Sequence, residues 1–144
     1  MLIGEYRHSI DAKKRLSVPV KFRKELGKKI IVTRGFDACL YVYPEKEWQG
    51  VLNKLRTLSM GQRDQRGVNR FMLGGAVDVE VDTLGRVLVP DFLKEFARLQ
   101  SKVVLVGVND HVEIWDEKTW DTYRKGIEKK ADELAEKLGE IGAI

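Results

Sequence analysis

The apolar runs of this chain are short, and turn residues interrupt them in an order that comes round twice. Short runs rich in Val, Ile and Leu, bounded by Gly, Asp or Pro, predict strands. A first strand leads to a turn at Asp11, and its counterpart leads to a turn at Asp82. Strands follow at Arg15–Val18, Ile30–Thr33 and Leu40–Tyr43, then at Arg86–Val89, Val103–Val106 and Val112–Trp115. Pro19 and Pro90 close the second strand of each set, and short helical stretches follow at Lys21–Leu26 and Phe92–Leu99. Proline donates no amide hydrogen and its φ suits a first helical turn.

Spacing by threes and fours marks the longer helices. One carries Trp48, Val51, Leu52, Leu55 and Leu58 on a face, with Pro44 at its first position. Another begins with Asp116 as N-cap and carries Trp120, Tyr123, Ile127, Ala131, Leu134 and Leu138. Its apolar face is expected to pack on its own domain, a neighbouring subunit being the competing partner. A connecting helix is expected near Gln62–Leu73, stopped by Gly74-Gly75. Trp48 and Trp120, at helix starts, read as core anchors rather than base-stacking platforms.

The chain repeats itself. GEYRHSID at 4–11 matches GAVDVEVD at 75–82, and DAKKRLSVP matches DTLGRVLVP, both at an offset of 71. After one inserted residue, TRGFDACLYVYPEKEW at 33–48 matches LVGVNDHVEIWDEKTW at 105–120. Each unit supplies four short strands, too few to close a barrel. Two units that interleave their hairpins about a pseudo-twofold axis hide their apolar faces together. The expectation is therefore an α+β chain: one pseudo-symmetric β-barrel built from two tandem repeats, with peripheral helices.

Length and charge refine this picture. With 144 residues, the chain buries a sizeable core as one body, whereas each half alone is marginal. Its single cysteine, Cys39, excludes an internal disulfide and reads as a buried thiol suited to a reducing cytoplasm. No apolar run is long enough to span a membrane, and none resembles a secretion signal. Net charge is +4, unevenly placed. Residues 1–35 carry ten Lys/Arg against three acids, residues 53–70 five against one, and residues 101–144 seven against ten. One face thus suits a polyanion, and nucleic acid fits better than membrane because no basic amphipathic helix accompanies the surplus.

The twice-written Asp-x-x-x-Arg has its own chemistry. Asp82 accepts from amides two residues on, and Gly85 supplies a positive φ. Arg86 then opens the outgoing strand, where its five donors grip a phosphate or the N7/O6 edge of guanine. A plain exposed ion pair is the competing account, worth only about 0–1 kcal/mol. Catalysis has little support: there is no HExxH, GxSxG or phosphate loop. His8 and His111 read as surface or partly buried strand residues, and neither they nor the scattered acids have metal-ligand spacing. The chain is read as a non-enzyme with no cofactor and no metal.

The double motif, the Glu-Lys-x-Trp helix starts and the chain length together resemble the MraZ family, over essentially residues 1–140. That family consists of bacterial transcriptional regulators of the SpoVT/AbrB-like swapped-hairpin type. The resemblance implies a swapped-hairpin barrel with repeats at 5–47 and 76–119, a helical connector at 48–75 and a C-terminal helix at 120–144. It implies a cytoplasmic, nucleoid-associated regulator that binds double-stranded DNA at repeated elements upstream of the division and cell-wall gene cluster. It also implies ring-shaped homo-oligomers, an octamer among the ring sizes, and no membrane partner. The family's DNA-contacting motif maps onto Asp11–Arg15 and Asp82–Arg86. Arg15 and Arg86 are then the direct contacts, and Asp11, Asp82 and Gly85 form the turns that aim them. Lys13 and Lys14 fall at the first tip for phosphate contact, and Arg7 lies just upstream as a further candidate. One departure stands out: Lys14 occupies the place before Arg15 where the family has glycine. The acids near Arg86 in sequence, Asp78, Glu80 and Asp91, lead to the expectation that the first hairpin supplies more phosphate affinity. The alternative is an oligomeric structural or antitoxin-like interaction module without specific promoter binding.

Overall fold

The computed structural model describes all residues, Met1–Ile144. Its elements follow the duplicated order: β1 (Leu2–Ser9), β2 (Arg15–Ser17), α1 (Val20–Leu26), β3 (Lys29–Arg34), β4 (Leu40–Pro44) and α2 (Glu45–Arg56). After the connecting helix α3 (Arg63–Gly74) come β5 (Val77–Glu80), β6 (Arg86–Leu88), α4 (Asp91–Phe96), β7 (Lys102–Asn109), β8 (Val112–Asp116) and α5 (Glu117–Glu140).

The strands pair mostly across the repeats. A six-stranded antiparallel sheet runs β1-β7-β8-β4-β3-β5, and β2 pairs with β6 in a separate antiparallel ribbon. Only β3–β4 and β7–β8 pair within a repeat; the other four ladders join one repeat to the other. The structure is thus mixed α+β, with five helices around antiparallel strands contributed by both repeats. Close approach of two strands explains one glycine. Gly107 on β7 faces Gly4 on β1, and a Cβ at Gly107 would lie 2.5 Å from the Ile3 nitrogen.

One core of 20 buried residues draws on both repeats, including Leu16, Val18, Phe22 and Ile30 with Val87, Val89, Leu93 and Val103. The outer face of the sheet is covered as well. Trp115 with Val104 and Val106 packs against Trp120 of α5, and Ile31 with Tyr43 packs against Trp48 of α2. Strands covered on both faces need apolar residues at every position, which is why Val103–Val106 reads as an unbroken run. Cys39 lies in this outer layer, fully buried, and burial pushes its thiol pKa well up.

Several boundaries differ from the sequence expectation. Pro44 is not the first helical residue: its ψ of 148° is extended and it pairs with Ile30, so α2 begins at Glu45. Pro19 and Pro90 are likewise N-caps of α1 and α4. α4 ends at Phe96 rather than Leu99, because Arg98 turns left-handed at φ 54°. Asp116 caps α5 as expected, accepting from the Lys118 amide at 3.2 Å. His111 lies in the β7–β8 turn rather than on a strand. The expectation that α5 packs its apolar face on its own domain is corrected: no residue of α5 is buried, and everything from Lys125 onward is exposed. Only its first two turns reach the sheet.

Two outcomes follow from the shared core. Leu16 is fully buried on the ribbon, so Leu16→Ala should lower the unfolding free energy by about 2–5 kcal/mol in urea titration. A fragment ending at residue 74 should show no cooperative unfolding transition, since β1 and β2 lose their only ladder partners. A cooperative fragment would contradict the interleaved core.

Candidate nucleic-acid interface

The ribbon is three residues per strand: Arg15 opposes Leu88, Leu16 opposes Val87, and Ser17 opposes Arg86. Side chains alternate along a strand, and opposed residues share a face. Leu16 and Val87 point into the core, both buried. Arg15, Ser17, Arg86 and Leu88 therefore share the outward face. The two arginines are diagonal neighbours there, with backbones roughly 7–8 Å apart.

Each arginine is aimed by the turn before it. Asp11 Oδ1 accepts from the amides of Lys13 and Arg15, both at 2.9 Å, and its Oδ2 accepts from Arg15 Nε at 3.0 Å. Asp82 does the same to the amides of Leu84 and Arg86, at 2.9 and 2.8 Å, and to Arg86 Nε at 2.9 Å. Both turns close with a left-handed residue, Lys14 at φ 64° and Gly85 at φ 78°. Lys14 thus keeps the backbone shape that glycine would adopt, at a strain of about 1 kcal/mol. The guanidinium contact uses Nε alone. Neither arginine's terminal Nη groups bond within the chain, so they remain available to an anion.

The two hairpins brace each other beyond the ladder. The Val18 amide donates to the Gly85 carbonyl at 2.8 Å, and the Val89 amide to the Lys14 carbonyl at 3.0 Å. Each strand therefore ends against the left-handed residue of the other repeat's turn.

This crossing exchanges the charged neighbours that sequence order suggests. Asp91, which follows the second motif, lies at the first turn, where both of its oxygens hold Lys14 Nζ at 2.6 and 2.8 Å. Arg23, which follows the first motif, lies at the second turn. Its Nε donates to the Val18 carbonyl at 2.9 Å, and its guanidinium fills the space that a Cβ on Gly85 would take. Gly85 thus supplies the positive φ, and the Arg23 guanidinium lies against its backbone. Arg23 and Lys28 line a cleft beside Asp82, Thr83 and Gly85. In the sequence Arg23 is one of the ten Lys/Arg of residues 1–35, and nothing there signals that it reaches the opposite repeat.

Among the candidates, then, Arg15 and Arg86 come together on one face and Lys13 stands exposed at the first tip. Lys14 is tied to Asp91. Arg7 is tied elsewhere, its Nη groups at 3.3 Å from Glu117 and 2.9 Å from Asp121 at the start of α5. Burial, then the charge of Arg23, hold the His8 imidazole below its ordinary pKa.

The backbone amide of Arg15 is the strongest influence holding the Asp11 carboxyl below its ordinary pKa, helped by the guanidinium; Arg86 acts likewise on Asp82. A lowered carboxylate pKa stabilises the fold above the ordinary aspartate range, and that contribution is lost as pH falls through the lowered value. Carboxyl-carbon NMR titration should therefore place both midpoints below the ordinary 3.8. Midpoints at or above it would contradict these turns.

Comparison with known proteins finds one family in both halves. The family described as "MraZ protein, putative antitoxin-like" matches residues 1–71 and again 72–139. A protein named transcriptional regulator MraZ from Caldanaerobacter subterraneus subsp. tengcongensis is 45% identical over 138 residues, covering 96% of each chain. Its namesake from Desulforamulus reducens is 45% identical over 141 residues, covering 98% of this chain and 99% of its own. That from Thermoanaerobacter sp. is 43% identical over 141 residues, with the same coverage. These relatives are named as regulators and not as enzymes.

Proposed function

The chain belongs to the MraZ family, and from that premise we propose that it is a sequence-specific DNA-binding transcriptional regulator whose β2–β6 ribbon meets the duplex. The observation that carries this is the pairing of Arg15 and Arg86 on one outward ribbon face with their Nη groups unengaged. A two-stranded ribbon fits the major groove, where arginine reads the O6/N7 edge of guanine. On the same face, Leu88 is 56% exposed and suits a thymine methyl group. Lys13 serves phosphate at the first tip, and Arg23 takes that role beside the second turn, where the sequence offered only acids. Lys14 and Arg7 become supporting residues, the first holding α4 and the second holding α5.

In this reading the cross-repeat strand pairing is the swapped-hairpin arrangement of SpoVT/AbrB-like proteins. Residues 5–47 and 76–119 are its two repeats, residues 48–75 a connector and residues 120–144 an appended helix. Several copies close into a ring in the cytoplasm, at the nucleoid. The ring presents its ribbons to repeated short elements upstream of the division and cell-wall gene cluster. Linked binding to repeats multiplies a weak single-site affinity.

The test is fluorescence anisotropy on the upstream region of the protein's own gene. Arg15→Ala and Arg86→Ala should each weaken binding by about 5- to 150-fold, the equivalent of one guanine contact at about 1–3 kcal/mol. With Lys14 held by Asp91 and Arg23 placed at the second turn, Arg86→Ala should weaken binding at least as much as Arg15→Ala. Wild-type affinity should fall linearly in log–log form with added salt as counterions are released. Salt-insensitive binding, or full affinity in the double variant, would overturn the reading.

A further inference from the structure

The two ends of the ribbon face are alike in their arginines and unlike in what stands beside them. At the repeat offset of 71, Arg15 corresponds to Arg86, Leu16 to Val87 and Ser17 to Leu88. The ladder puts the axis relating them on the Leu16–Val87 pair, so Arg15 faces Leu88 and Ser17 faces Arg86. Each arginine therefore has a residue of the other repeat as its cross-strand neighbour. For Arg15 that neighbour is a branched hydrocarbon chain, 56% exposed. For Arg86 it is a half-buried hydroxyl. The tips differ as well: Lys13 corresponds to Leu84, which is 64% exposed.

Exposed leucines are ordinary on protein surfaces, and exposure alone would say nothing of Leu88. Its place does. The register that commits Leu16 and Val87 to the core holds Leu88 outward, directly opposite Arg15. Residues opposed in this way have Cβ atoms about 5 Å apart. Successive bases on a strand of DNA rise by about 3.4 Å, so two such side chains reach adjacent base pairs. In the major groove only thymine offers a methyl group, and an apolar side chain takes it; serine bonds to more than one base and selects none. Arg15 with Leu88 is thus a two-part reader, of guanine and of thymine. Arg86 with Ser17 reads guanine and tolerates its neighbour.

We propose that Leu88 is a specificity-determining residue: it adds a thymine methyl contact to the guanine contact of Arg15, while Ser17, at the corresponding place beside Arg86, adds none. This deepens the ribbon-in-groove reading and rests on it. The contact is a product of the strand crossing, because the arginine comes from one repeat and the leucine from the other. Neither Asp-x-x-x-Arg motif contains it. Leu84 is the other large apolar residue exposed on the ribbon and its turns. It stands at a tip, outside the ladder, with no arginine opposite it, and is the rival for any methyl contact.

Fluorescence anisotropy on the upstream region, prepared once with thymine and once with uracil in its place, reads the methyl groups alone. Wild type should bind the uracil DNA at least about fourfold more weakly, the effect of one methyl group no longer buried. Leu88→Ala should bind the two DNAs equally, and Leu84→Ala should keep the wild-type difference. Both leucines are exposed, and circular dichroism serves as the control for folding. Equal wild-type affinity for both DNAs, with Arg15→Ala still weakening binding, would overturn the methyl contact and leave the ribbon reading standing. Full affinity in the double arginine variant would overturn the ribbon reading itself. A difference that persists in Leu88→Ala, or that disappears in Leu84→Ala, would place the contact elsewhere and contradict the proposal.

Discussion

Two backbone hydrogen bonds hold the arrangement on which the rest depends: Val18 to the Gly85 carbonyl and Val89 to the Lys14 carbonyl. Each ties the strand of one repeat to the turn of the other. The donors are the last amides before Pro19 and Pro90, which have none to give, so each proline stands where the ladder has already ended. With the ribbon closed in this way, Leu16 and Val87 are committed to the core and the arginines to the opposite face. A one-residue slip would turn every side chain over and bury the guanidinium groups. Register and the proposed function are thus fixed together.

The interleaving also decides which charges meet. A tandem repeat invites the assumption that each motif keeps its own sequence neighbours. Here α1 serves the second turn and α4 the first, so Arg23 and Asp91 change places relative to that assumption. The consequence is a division of labour between near-identical turns. One has a glycine that admits a guanidinium against its backbone. The other accepts a strained lysine and ties its ammonium to a carboxylate.

Much of this was legible in the sequence, because duplication showed the order of elements twice. Asp11, Asp82, Gly85, Pro19 and Pro90 act locally, through side-chain acceptors, φ and the missing amide, and local physics is what a sequence displays. The strands around Val103–Val106 were legible for the same reason. Pairing partners were not: nothing in the residues of β3 says that β5 rather than β1 will lie beside it. The place of Arg23, the tethering of Lys14 and Arg7, and the bare outer half of α5 all depend on which elements cross, and so became visible only in three dimensions. The left-handed turn at Lys14 lay between these cases. Its position was marked by correspondence with Gly85, while its stability depends on Asp11 and on the other hairpin.

Amide hydrogen exchange at Val18 and Val89 tests the central claim most directly. If the two hairpins brace each other as described, both amides exchange only through global unfolding, as slowly as the buried amides of β7. Exchange at the rate of exposed turn amides, with β7 still protected, would show that the ribbon opens on its own and would contradict the account.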